Sequence, residues 1–362
     1  MNILFDYQIF TMQKFGGISR YFYELMKELN DCAGYKLPLI FSNNFYILQD
    51  NPQKRLSFFP NNDFRGKQFV MTTSNRLAFF CEAKKGKWDV IHPTYYDTFF
   101  LKYTNHIPFV ITVHDMIQEK LIPSEKEVID NKKKCITQAE RIIAISENTK
   151  KDIVDLYNIN PCKIDVIYHG YSANPNIEQK IENLPDNYIL FVGQREHYKN
   201  FNRFIKAMSG IIKKHPEYHV VCTGLPLTRE ERVMISNYGL DKHTHQYFAN
   251  EKELTHLYKN ASAFAFPSEY EGFGIPILEA FACGCPVALS NASCFPEIAK
   301  DAGAYFDPLN VEDIERVLLK LIEDSRYREK CVVLGYQRIK DFSWKKMAQE
   351  TLLTYNKAIT RH

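Results

Sequence analysis

Short apolar runs alternate with amphipathic stretches from one end of the chain to the other. That alternation predicts strands and helices in turn, the pattern of α/β layers built on parallel sheets. Residues 3–5 form the first apolar run. After Gly16-Gly17, apolar side chains at Ile18, Tyr21, Phe22, Leu25, Met26 and Leu29 recur at helical spacing. Further strands are predicted at residues 37–41, 88–91, 109–113, 142–145 and 164–168, with helices between most of them. Ser146 suits the N-cap of a helix through Asp152 and Tyr157, because its hydroxyl can accept from an unpaired amide.

Between residues 170 and 186 the chain turns polar, which predicts a linker where few apolar contacts are available. A second series follows, with strands at 188–192, 220–223, 246–248, 263–266, 287–289 and 304–306. Its helices are predicted at 201–214, 229–238, 251–260, 276–283 and 311–323. The expected organisation is a Rossmann-like domain over 1–170, a linker over 171–186, a second Rossmann-like domain over 187–343 and a closing amphipathic helix over 344–362. No repeat of solenoid length and no low-complexity tract is visible. In such sheets ligands bind at the C-terminal edges of the strands.

Length supports that division, since 362 residues suffice for two domains of ordinary size. Charge removes one class of partner: 46 Lys and Arg against 43 Asp and Glu leave a net charge of only +3. Bulk electrostatics of that size do not point to a nucleic-acid binder. An anionic small molecule held by a few placed cations remains compatible. The nine cysteines include no C-x-x-C pair, and Cys283 and Cys285 around Gly284 fit neither a zinc ribbon nor a redox motif. Reduced thiols filling core are the expectation. The chain starts on a strand without a secretory leader, and no apolar stretch reaches the roughly 20 residues that span a bilayer. A soluble, cytoplasmic protein is expected, with peripheral contact at the cytoplasmic face of the inner membrane left open. Lys132-Lys133-Lys134 and the cluster Lys84-Lys85-Gly86-Lys87 could meet anionic headgroups there, although such runs are more often solvated faces.

The chemistry gathers in one stretch, residues 266–281. A buried strand runs into a turn with Glu271, Gly272 and Gly274, and a helix is expected to open at Pro276, where a missing N–H costs nothing. Glycines before a helix start let an anion approach open amides, and the helix dipole adds positive potential. Glu271 sits in the turn and Glu279 about one helical turn inside. A diphosphate at the helix end with hydroxyl-rich parts on either side describes a sugar nucleotide.

After the strand at 188–192 comes Gly193-Gln194-Arg195, then Lys199-Asn200. Arg offers a planar fork and Lys a point charge, and together they suit a diphosphate. Many transferases assign that task to a metal on an Asp-x-Asp pair, and the sequence has none. Catalysis without metal or other cofactor is therefore expected, with Arg195 and Lys199 stabilising the departing phosphate. Gly16-Gly17 is either a plain turn or a place where amides reach phosphate or acceptor; it is not a G-x-G-x-x-G fingerprint, so no nicotinamide cofactor is implied. His114, at the end of an apolar strand, is either a structural histidine or a cleft residue. On the acceptor side Tyr7, His92 and Tyr95 are candidates, since aromatics suit sugar faces, though they also fill cores.

The string Pro267-Ser268-x-x-Glu271-Gly272-Phe273-Gly274-x-Pro276-x-x-Glu279-Ala280 resembles the E-x7-E signature of retaining GT-B transferases, specifically glycosyltransferase family 4. The pattern G-x-R-x3-K-N over 193–200 matches that family's phosphate-binding motif. The resemblance implies a GT-B fold: two Rossmann-like domains facing across a deep cleft, with the C-terminal helix crossing back to the first. It implies that Glu271 and His114 meet the donor sugar. Gly193, Asn200, Gly272, Phe273 and Gly274 would line the donor, and Glu279 would accept from both ribose hydroxyls. No protein nucleophile is implied; a front-face transfer is.

The expected function is a retaining hexosyltransferase, with GDP-mannose as donor because 8–10 and 193–200 look like mannosyltransferases of surface-polysaccharide pathways. The acceptor is expected to be a saccharide, on a lipid-linked glycan of O-antigen, capsule or lipopolysaccharide synthesis. A UDP-sugar transferase (glucose, galactose or N-acetylhexosamine) stays open, because no residue decides between the bases. So does another GT-B nucleotide-sugar binder, such as an epimerase, a phosphorylase or a non-catalytic relative, although Glu271, Arg195 and Lys199 are all present.

Overall fold

The structure, a computed structural model, describes residues 1–30, 32–50, 57–103, 107–171, 177–195 and 197–360. Two compact units emerge, Met1–Gly170 with Ser343–His362, and Tyr171–Phe342. Residues 172–176 of the predicted linker lie outside the described residues.

In chain order the first unit contains β1 (Asn2–Phe5), α1 (Gln8–Met12), α2 (Gly17–Leu29), β2 (Gly34–Lys36), α3 (Phe45–Asp50) and α4 (Lys67–Ala83). Then come β3 (Val90–His92), β4 (Val110–Val113), α5 (Ile117–Leu121), α6 (Lys126–Gln138), β5 (Arg141–Ala144), α7 (Glu147–Tyr157) and β6 (Ile164–Val166). Strands β2-β1-β3 and β4-β5-β6 form two parallel sheets. A parallel bridge between Ile91 and Phe109 joins them edge to edge. Ser146 caps α7 as its sequence predicts, accepting from the Thr149 N–H. The strand predicted over 37–41 lies upstream instead, with Gly34 to Lys36 paired to Asn2 to Leu4. Pro38 follows directly and lacks the N–H that a longer ladder would need. Leu37 is a core side chain outside the strand, so its hydrophobicity was real but its periodicity was not.

The second unit contains β7 (Tyr188–Phe191), α8 (Phe201–Lys214), β8 (His219–Thr223), α9 (Arg229–Asn237), β9 (Thr244–Tyr247) and α10 (Glu251–Asn260). It continues with β10 (Ala263–Phe266), α11 (Ile275–Ala282), β11 (Val287–Ser290), α12 (Phe295–Ala299), β12 (Gly303–Phe306), α13 (Val311–Glu323) and α14 (Ser325–Arg338). Its parallel sheet runs β12-β11-β10-β7-β8-β9. The chain starts in the middle, extends to one edge, and returns to the other side of β7 by way of β10. That reversal makes a crevice outside the C-terminal ends of β7 and β10. The apolar pattern does not predict α14, because its buried positions are Cys331, Gly335 and Arg338, a weak hydrophobic signal.

The last helix, α15 (Trp344–Ile359), returns to the first unit. Trp344, Met347, Ala348, Tyr355 and Ala358 enter its core beside Ile3, Phe22 and Ile143. Burying each large apolar side chain contributes about 2 kcal/mol, enough to hold the helix in place. Gly170 permits the close approach, since a Cβ there would stand 2.1 Å from the Trp344 nitrogen.

Three of the described histidines of this unit are buried. His92 lies between the Tyr355 hydroxyl (2.6 Å) and Thr112 Oγ1 (2.9 Å). Burial drives His92 and His169 down to about 3, and drives His114 well below the usual 6.5. All three are neutral in the folded protein. Burial pushes Asp6 the other way, to about 6, against the hydrogen bonds it receives from Thr94 and Gln8.

The signs decide the response to acid. A histidine whose folded value is depressed gives stability above pH 6.5 and loses it as pH falls toward the folded value, at about 1.4 kcal/mol per pH unit for each histidine. Asp6, whose value is raised, opposes this by one such slope between about pH 6 and 4. Three slopes against one predict that the urea midpoint falls clearly between pH 7.5 and 5.5. An unchanged midpoint would mean that these imidazoles are not held neutral.

Candidate functional site

The site is built where β7 and β10 end side by side. Their pairing, Ala263 to Ile189 and Phe264 to Leu190, delivers the two following loops to one place. After β10 the chain turns through Glu271, Gly272 and Phe273 to Gly274, whose φ of +95° is the left-handed conformation glycine adopts without strain. A side chain there would also press Ile277 at 3.0 Å and Phe295 at 3.3 Å. The helix α11 opens at Ile275, one residue before the predicted Pro276, because the Ile277 N–H already bonds to the Gly274 carbonyl. Proline at the second position is equally free of an N–H requirement.

After β7, Gly193 donates its N–H to Thr223 Oγ1, and a short 3-10 turn, His197–Lys199, carries Lys199 back toward β10. There Lys199 Nζ donates to Glu271 Oε1 at 2.5 Å, with the two side chains 18% and 12% exposed. The ammonium lies 5.0 Å from the Tyr198 ring centre and 5.8 Å from that of Phe266. Low exposure limits water's competition for both charges, so this pair is stronger than a surface salt bridge and each partner fixes the other. Glu279 sits in α11, its Oε2 accepting from the Tyr258 hydroxyl at 3.2 Å. Tyr258 is held protonated by burial and then by Glu279, so it is a permanent donor that orients the carboxylate.

Two expected donor contacts have other tasks here. Arg195 was expected beside Lys199 as a phosphate clamp, but its side chain is 4% exposed and faces the loop after β8. Its Nε donates to Glu231, and its terminal nitrogens to the carbonyls of Thr223, Leu225 and Pro226. An Arg held by four acceptors is a strut between two loops. Asn200 is likewise spent inside the protein: Nδ2 donates to the Pro267 and Pro308 carbonyls, and Oδ1 accepts from Arg203. It ties the exits of β10 and β12 to the start of α8.

Ser293 and Cys294 were missed. Ser293 Oγ both accepts from the Glu271 N–H (3.2 Å) and donates to the Glu271 carbonyl (2.6 Å). The Cys294 thiol reaches the carbonyls of Glu271 and Phe273 at 3.3 and 3.1 Å. These residues follow β11, the other neighbour of β10, and fix the backbone of the turn. The only signal in the sequence was a polar loop before Pro296; the pairing depends on strand order.

In the first unit, Gly16 caps α2 and Gly17 opens it. The Gln13 side chain fills the space a Cβ on Gly16 would need and accepts from the Ser19 N–H, so one amide of that helix start is already occupied. The His114 N–H donates to the Tyr96 hydroxyl, its ring is edge-on to Tyr21, and its buried Nε2 finds no hydrogen-bond partner among the described residues. A neutral imidazole with an unused nitrogen can receive or give one hydrogen bond to a hydroxyl. Tyr7 packs on Phe99, its buried hydroxyl without a hydrogen-bond partner among the described residues, while Tyr95 is half-buried against Tyr96. His92, named as an acceptor-side candidate, is instead a core residue with both nitrogens engaged. Nor is Lys132 part of a solvated triplet: it is buried, with Nζ on Glu119 Oε2 (2.9 Å) and Gln118 Oε1 (2.8 Å). Among the described residues no three His, Cys, Asp or Glu side chains gather as a metal cluster, and no helix is long and apolar enough to cross a membrane.

Comparison with known proteins places this geometry. Residues 15–174 match Glycosyltransferase Family 4, and residues 173–338 match Glycosyl transferases group 1. The O-antigen chain mannosyltransferase B of Escherichia coli is 28% identical over 233 residues, 61% of each chain. The MMP alpha-(1->4)-mannosyltransferase of Mycolicibacterium hassiacum is 25% identical over 313 residues, 80% of this chain and 75% of that one. The sucrose-phosphate synthase of Thermosynechococcus elongatus superposes with a TM-score of 0.76 at 18% identity, over 100% of this chain and 99% of the other. With both units matched in sequence and the whole chain matched in fold, the protein belongs to glycosyltransferase family 4 and has the GT-B fold.

Proposed function

We propose that the protein is a retaining, metal-independent transferase that moves a hexose, mannose from GDP-mannose, to the saccharide of a lipid-linked glycan in surface-polysaccharide synthesis. The observation that carries this reading is the Lys199–Glu271 pair beside the start of α11. A diphosphate at that helix end offers Lys199 a partner of higher charge than one carboxylate. The swap frees Glu271 to accept from a hydroxyl of the sugar. Glu279, already oriented by Tyr258, is placed one turn further for the ribose hydroxyls. Mannose is supported by the mannosyltransferases to which the chain is similar, the two described above among them.

The chemistry needs no protein nucleophile. The bond between the anomeric carbon and the β-phosphate oxygen breaks, and the acceptor oxygen bonds to that carbon on the face the phosphate leaves. The acceptor proton passes to a phosphate oxygen. Lys199 and the α11 amides stabilise the charge that accumulates on the leaving group. His114, neutral and with an unused Nε2, can hold a sugar hydroxyl without adding charge.

Lys199→Ala is expected to lower kcat about a hundredfold or more, the usual effect of losing one preorganised charge contact. Turnover near the wild-type rate would sink the phosphate role. EDTA is expected to leave initial rates unchanged; a chelator-sensitive rate restored by magnesium would overturn metal independence. Product examined by NMR should keep the donor's anomeric configuration, and an inverted linkage would contradict the front-face transfer.

A further inference from the structure

The helix α4 is apolar on two sides, and among the described residues only one is covered. Met71 and Phe79 are buried. On the opposite stripe Phe69 is 74% and Leu77 59% exposed, with Val70 and the half-buried Phe80 beside them. These positions fall on one side of a 3.6-residue helix. An ordinary surface helix keeps that side polar. Phe64, just before the helix, is also exposed.

Cations border the stripe. From residue 57 to residue 87 there are six Lys and Arg (65, 67, 76, 84, 85, 87) and two acids (63, 82), a net +4 where the whole chain carries +3. Lys67 is buried on the covered side against Asp63 and Lys85 is paired with Glu82, so the net charge rests on Arg65, Arg76, Lys84 and Lys87. Lys84 Nζ lies 4.1 Å from the Phe80 ring centre and Lys87 Nζ 5.1 Å from that of Trp88. Cations laid over aromatic rings at the edge of an apolar stripe match a boundary that is oily on one side and negatively charged on the other. A second copy docking symmetrically would bring one such cationic surface against another, which like-charge repulsion disfavours.

We infer that the exposed face of α4, with the following turn Lys84-Lys85-Gly86-Lys87, docks the protein on an anionic lipid bilayer. The inference extends the proposed lipid-linked acceptor to a surface of this chain. Its test uses neither donor nor acceptor, so the two readings can fail separately.

The experiment is co-sedimentation of the full chain with vesicles of phosphatidylcholine alone, or mixed with an equal part of phosphatidylglycerol. Binding is expected only to the mixed vesicles and should weaken as salt is raised. Phe69→Ser with Leu77→Ser should lower the apparent affinity about tenfold or more, with an unchanged unfolding midpoint because both side chains are exposed. Lys84→Gln with Lys87→Gln should lower it about fivefold per charge, Lys85 being already paired with Glu82. No binding to mixed vesicles, equal binding to both kinds, or wild-type binding by either double variant would overturn the inference. So would a wild-type dimer that Phe69→Ser with Leu77→Ser makes monomeric, which would assign the face to a second copy.

Discussion

Lys199 and Glu271 stand 72 residues apart in the chain and meet at 2.5 Å because β7 and β10 are hydrogen-bonded neighbours. Everything at the site follows from that adjacency. It brings a cation from one loop and a carboxylate from another beside the opening of α11. The third strand in line, β11, supplies Ser293 and Cys294 to hold the turn from behind. A parallel sheet whose chain starts in the middle produces one such crevice as a matter of topology. The sequence then decides what fills it, and here that is the Lys199–Glu271 ion pair. A carboxylate that neutralises a lysine keeps it ordered and shielded from water, which is the preorganisation that the proposed phosphate contact calls for.

The first unit shows the complementary strategy at Asp6 and His92, polar side chains that are buried with their hydrogen bonds made. Asp6 accepts from the backbone and side chains of Gln8 and Thr94, tying the loops after β1 and β3 together. His92 links β3 to α15 through Tyr355, which makes the last helix part of the same network. Buried groups with every hydrogen bond made specify one arrangement of loops, and an unmade bond there costs more than a made one contributes. His114, with an Nε2 that has no hydrogen-bond partner among the described residues, departs from that pattern, whereas both nitrogens of His92 are engaged.

Much of this was legible in the chain. The turn from Glu271 to Glu279 could be read because its glycines, proline and carboxylates are local, and the alternation of strands and helices because periodicity is local. What the sequence hid was pairing. Arg195 and Lys199 look equivalent four residues apart, yet one is a strut on Glu231 and the other faces Glu271. Lys132 reads as one of three surface lysines until Glu119 and Gln118 are seen around it. Asn200 matched a binding pattern and proved to be spent on the Pro267 and Pro308 carbonyls. In each case the deciding partner is distant in sequence or set by the direction of one side chain.

The central claim is that the crevice beside α11 takes a nucleoside diphosphate sugar through Lys199. Thermal unfolding against GDP, UDP, dTDP and ADP and their sugars tests it directly, on the wild type and on Lys199→Ala. One base, expected to be guanine, should raise the wild-type midpoint clearly above the others, and the shift should collapse in the variant. No shift with any nucleotide, or an equal shift in both proteins, would contradict the account.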